Sequence, residues 1–170
     1  MLWLSILLFV VLFAGIAMTV NEGLWSNTVS LLAIWLAGIF ATLLGPAAGA
    51  WALEQFGKDP QLGWYFLFAG MWLVFFVAVI VIRVLFDRLS RVRLRFIPQL
   101  DAAGGPLMGL FVAVMFASFC AYTLVKAPIA AGEWKMSDAT EWQKSTFEYL
   151  QAPFHNLDKA WDGQNVDFGK

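Results

Sequence analysis

A chain of 170 residues that is 61% hydrophobic and only 14% charged, with a mean hydropathy of +0.71, carries more apolar surface than a soluble core of this size can hide. Its net charge of −1 points to no class of partner, and no nucleic-acid partner is expected. The single cysteine, Cys120, and the single histidine, His155, exclude an intramolecular disulfide, a thiolate cluster and a multi-histidine metal site built from one chain.

In chain order, the first apolar run is Leu2 to Val20, long enough for a bilayer core that needs about 20 helical residues. No Lys or Arg precedes it and it exceeds a signal-peptide core, so an uncleaved helix is expected. The second run, Ser30 to Leu53, closes at Glu54, Gln55 and the turn Gly57-Lys58-Asp59-Pro60. The third runs from Gly63 to Phe86, and the fourth from Pro106 to Val125, where a buried thiol is the ordinary reading of Cys120. The expected fold is therefore all-α and polytopic. Residues 1–130 form a four-helix transmembrane domain with spans near 2–20, 30–53, 63–86 and 106–125, and 131–170 form a short polar and aromatic tail.

All five arginines fall together: Arg83 at the end of the third run, then Arg88, Arg91, Arg93 and Arg95 in the loop 87–105. Basic residues in short loops stay cytoplasmic. That loop and the first one are thus expected inside, with both termini and the Gly57–Gln61 turn outside, which in a bacterium is the periplasm. The arginine strip reads either as a continuation of the third helix or as an extended strip with Val92, Leu94 and Phe96 alternating. Either form can anchor to lipid headgroups or dock a cytoplasmic partner.

Lipid tails are as apolar as leucine, so close helix contacts are marked by small residues. Gly45-Pro46-Ala47-Ala48-Gly49 and Gly105-Pro106-Leu107-Met108-Gly109 are two such marks, and Gly45, Gly49, Gly105 and Gly109 are the expected packing positions, within the chain or between chains. Pro106 suits the first turn of a helix, whereas Pro46 is internal and is expected to kink or break the second span. Asp101 is placed to cap the helix that follows it, or to pair with an arginine. The tail is expected to carry a helix near 139–151, capped by Asp138 with Glu141 and stopped by Pro153. Trp134, Trp142, Phe154 and Trp161 make it more aromatic than a solvated linker. They would rest on the outer membrane interface or dock a partner.

Four features together resemble the colicin V production (CvpA) family of bacterial inner-membrane proteins. They are the short glycine-containing loop Asn21-Glu22-Gly23-Leu24-Trp25, the proline and small-residue break late in span two, the arginine-rich loop after span three, and Asp101-Ala102-Ala103-Gly104-Gly105 with Gly109. The resemblance covers about Leu2 to Val125 and implies an accessory or scaffold protein associated with colicin V production or export, without enzymatic activity.

The residues themselves point the same way. No catalytic couple and no cofactor site is expected, and the expected partners are membrane lipids and either other membrane proteins or further copies of the chain. The alternative is a component of an oligomeric channel or transporter, with Ser30, Thr42, Ser118 and Thr123 lining a path. Against it, the spans hold no Asp, Glu, His, Lys or Arg except Arg83.

Overall fold

The computed structural model describes residues 2–57, 62–89, 98–127 and 140–160. They form five helices: α1 (Leu2–Thr19), α2 (Leu24–Phe56), α3 (Gly63–Leu89), α4 (Pro98–Lys126) and α5 (Glu141–Ala160). Three are long and apolar enough to cross a membrane and α1 is a shorter apolar helix, while no strand occurs among the described residues. This is the polytopic all-helical fold that the composition demands, because backbone polar groups in hydrocarbon must be satisfied within a helix.

Helix bounds differ from the apolar runs in instructive ways. The 33 residues of α2 would span about 50 Å at 1.5 Å per residue, against a hydrocarbon core of about 30 Å, so this helix outlasts its apolar stretch. Pro46 lies inside α2 and does not break it. The helix is braced there by α3, which packs on Gly45 and Gly49, either side of the proline. Pro106 is likewise interior to α4, and Pro98 takes the helix-opening position instead. α3 runs to Leu89 and α4 opens at Pro98, so residues 87–89 and 98–105 of the expected loop are helical. Arg88 lies exposed in the last turn of α3, where a cation complements the helix dipole. Arg91, Arg93 and Arg95 lie outside the described residues.

Backbone packing runs α1 on α4, α4 on α2, and α2 on α3. The α2–α3 contact is the closest. A Cβ added to Gly70 would lie 2.5 Å from the Gly49 amide nitrogen and 2.7 Å from the Gly45 carbonyl oxygen, and one on Gly49 would lie 2.9 Å from Leu67 Cα. Both Gly45 and Gly49 therefore serve a contact within the chain. Between α3 and α4 the gap is filled by rings instead: Phe75 stacks on Phe119 with centroids 4.2 Å apart, and Trp72 meets Phe119 at 5.4 Å.

α5 departs most from expectation. Its cap is Thr140 with Gln143 rather than Asp138 with Glu141: the Gln143 amide donates to Thr140 Oγ1 at 3.4 Å and the Thr140 amide donates to Gln143 Oε1 at 3.1 Å. Asp138 lies outside the described residues. The helix continues through Pro153 to Ala160. Its buried face is Phe147, Gln151 and Phe154, while Trp142 and Tyr149 are exposed. The fully buried Phe154 fills the space left by the missing side chain of Gly38 and meets Phe119 edge-on at 5.4 Å. Phe154 thus docks on the chain's own membrane helices and is not available to a partner. Ser118 Oγ donates to the Leu150 carbonyl, and Lys126 pairs with Asp158 at 2.5 Å.

Truncating a fully buried phenylalanine costs about 3–5 kcal/mol. Phe154→Ala should therefore lower the thermal midpoint in mild detergent and free α5 to proteolysis. Trp142→Ala, at a 64% exposed position, should change the midpoint little.

Candidate functional site

The polar side chains with structural work to do converge where α1 turns into α2. The first N–H groups of a helix have no partner within it, and the N-cap of α2 is Gly23, which has no side chain to supply one. Asp101 supplies it from another helix: the Leu24 amide donates to Asp101 Oδ1 at 2.6 Å. A carboxylate beside a helix N-terminus also meets its positive dipole end. The expectation that Asp101 caps its own helix is thus corrected. Asp101 sits within the first turn of α4, with its helix already begun at Pro98, and it reaches across to α2.

Gly23 eases this approach. A Cβ there would lie 3.2 Å from Asp101 Oδ1, tighter than ordinary contact. Below it, the buried Asn27 gathers three carbonyls: its Nδ2 donates to Thr19 O at 2.9 Å, Gly105 O at 2.8 Å and, more weakly, Glu22 O at 3.3 Å. Those oxygens belong to the end of α1, the turn and α4. One amide therefore ties three segments, the Thr19 carbonyl accepting from the Glu22 amide at 3.0 Å as well.

Gly105 and Gly109 complete the knot by letting backbone approach. A Cβ on Gly105 would sit 2.8 Å from the Glu22 carbonyl oxygen, and one on Gly109 would sit 2.8 Å from Thr19 Oγ1. The Thr19 hydroxyl lies 2.8 Å from the Gly15 carbonyl of its own helix and 3.0 Å from the Gly109 carbonyl across the contact, and its one proton serves both. One turn up α1, a Cβ on Gly15 would meet Ala113 Cβ at 2.9 Å. So Asp101, Gly105 and Gly109 recur on one stripe of α4, at a spacing of four, and face the α1–α2 turn.

The other sequence candidates are not part of this cluster. Gly45 and Gly49 belong to the α2–α3 contact, and Arg88 is exposed at the end of α3. Of the tail aromatics, Phe154 is buried against α2 and α4 and Trp142 is exposed on α5, while Trp134 and Trp161 lie outside the described residues. Asn27 and Thr19 were not singled out by sequence. The available signal was Thr19 and Asn27 flanking a turn between apolar runs, polar groups that a bilayer-facing position would not hold without partners. Among the described residues no group of three His, Cys, Asp or Glu side chains is placed to hold a metal ion.

These features define a class: a polytopic helical membrane protein whose glycine-rich fourth span is locked by polar bonds to its first turn. The chain belongs to the colicin V production protein family, whose model matches residues 4–149. The match runs beyond Val125, where the sequence resemblance ended, and takes in the first half of α5. No curated protein and no solved structure is significantly similar to it.

Replacing Gly109 by leucine should force α1 from α4 and cost about 1–3 kcal/mol, the ordinary penalty of overpacking. Val114→Leu, on the same helix but 40% exposed, should be tolerated. Folded yield and thermal midpoint in detergent distinguish the two, and equal tolerance would contradict the close approach at Thr19.

Proposed function

We propose that this protein is a non-catalytic accessory or scaffold subunit of a membrane protein complex in the bacterial inner membrane, serving colicin V production, as its family's name describes, or its export. Both termini are assigned to the periplasm by the arginine distribution, and the Asp101 knot then lies at the cytoplasmic end of the bundle.

The observation that carries this reading is how the polar groups are spent, with Asn27 Oδ1 and Trp72 Nε1 the buried side-chain atoms among the described residues that have no partner. Asp101, Asn27 and Thr19 bond to backbone at the knot. Three of the four hydroxyls that a conduction path would use are turned the same way: Thr42 Oγ1 donates to Ile39 O, Thr123 Oγ1 to Cys120 O and Ser118 Oγ to Leu150 O. What the outer spans offer their surroundings is mostly apolar. α3 presents Leu73, Phe76, Val77, Ile80 and Val84 on one exposed face, and α1 presents Phe9, Val10 and Phe13 on another. These are the two outermost helices in the packing order, so each has a side open to a neighbouring span or to lipid.

Extraction in mild detergent followed by native electrophoresis tests the reading. A complex containing subunits other than this chain is expected, and a tryptophan-free polar substitution such as Ile80→Ser on the open face of α3 should reduce it without unfolding the chain. A homo-oligomer that conducts ions in liposomes would contradict it.

A further inference from the structure

α3 is the least buried of the three long spans. It turns Leu67, Met71, Phe75 and Ile82 into the bundle, and on its opposite side Leu73, Val77, Ile80 and Val84 are all exposed. At about 100° per residue these four exposed side chains fall within about 60° of one another. The same arithmetic puts Asp87 and Arg88, both exposed, about 50° to either side of their centre. The face is thus an apolar seam that ends in an acid on one flank and a base on the other, one residue apart in depth. From Gly63 to Arg83 the helix rises about 30 Å, the thickness of a hydrocarbon core, so Asp87 and Arg88 stand at headgroup level. Among the described residues the ion pairs are Lys126–Asp158 and Lys144–Glu141, so Asp87 is left open although Arg83 lies one turn before it.

We propose that two copies of this chain pair along this side of α3, about a two-fold axis parallel to the membrane normal. Copies of one membrane protein insert with one orientation, so a closed pair has its axis along the normal and presents the same surface from both halves. Such an axis sets the left flank of one helix against the right flank of the other. Arg88 then faces Asp87 of the second copy, and Asp87 faces its Arg88. Two ion pairs at one depth close the end of the seam. A lipid surface suits half of this pattern, since a phosphate accepts from Arg88 and repels the Asp87 carboxylate. An unrelated subunit would have to bring an acid and a base in matching order, whereas a second copy brings them by symmetry. The pairing goes beyond the scaffold reading and stands without it. It leaves α1 open to other subunits, and Ile80→Ser would reduce their complex by parting the two copies.

The test uses the full chain, purified and reconstituted alone in phospholipid vesicles, so that no other subunit takes part. Energy transfer between chains labelled at the C-terminus with donor or acceptor reports pairing as the lipid is diluted. Asp87→Arg and Arg88→Asp should each weaken pairing about tenfold, because each sets like charges face to face. Mixed with one another, the two variants should pair at least as well as the unaltered chain, since one then presents two arginines and the other two aspartates. On mild oxidation, Leu73→Cys, Ile80→Cys and Val84→Cys should each form a disulfide with the second copy. Leu85→Cys, comparably exposed but off the seam, should not, and the native Cys120 is buried. A chain that stays monomeric would overturn the proposal, as would a mixture of the two charge variants that pairs no better than either alone. If a charge variant does not insert, the disulfide pattern decides: cross-linking of Leu85→Cys as strong as that of Ile80→Cys rules the seam out.

Discussion

The structure depends on the bond from the Leu24 amide to Asp101 and on the three carbonyls gathered just below it by Asn27. α1 and α2 are joined by a short turn whose glycine N-cap leaves helix donors bare at a half-buried point. A carboxylate from α4 answers them. Because the donor sits at residue 24 and the acceptor at residue 101, satisfying one short turn fixes α2 and α4 side by side in the same direction, with α1 antiparallel to both. Apolar surface cannot do this in a bilayer, where leucine gains little by leaving lipid for protein. Direction and register come from the few polar groups, and closeness comes from the glycines.

The same division of labour holds further along the helices. Gly45, Gly49 and Gly70 bring α2 and α3 together, Gly15 and Gly109 bring α1 and α4 together, and Gly38 admits Phe154. Where no small residue is available, between α3 and α4, phenyl and indole rings span the wider gap through Phe75, Trp72 and Phe119. α5 adds a polar-faced helix to this apolar frame. It is pinned by two rings, Phe154 and Phe147, by the Ser118 hydroxyl on the Leu150 carbonyl and by the half-exposed Lys126–Asp158 pair, which contributes about 0–1 kcal/mol as exposed pairs do. The rings are the principal anchors.

Composition and run length made the membrane fold legible, and the Gly-x-x-x-Gly segments marked real close approaches. What they could not reveal was each glycine's partner, because a small residue records that something comes near without recording what. Asp101 was recognised as a cap but assigned to the wrong helix. Capping signals are local in sequence, and here the donor lies 77 residues away. The prolines misled for a related reason. Pro46, Pro106 and Pro153 all sit inside helices whose neighbours hold them in place, so local propensity yielded to packing. Thr140 with Gln143 was passed over for Asp138 with Glu141, two caps of the same form offset by two residues.

Amide hydrogen exchange at Leu24, followed by NMR in nanodiscs, tests the central claim most directly. The first amide of a helix ordinarily exchanges freely. Here it should be slowed by at least tenfold, and Asp101→Ala should release it while the amides of α2 beyond Thr28 stay protected. Fast exchange at Leu24 in the unaltered protein, or protection that survives Asp101→Ala, would contradict the account.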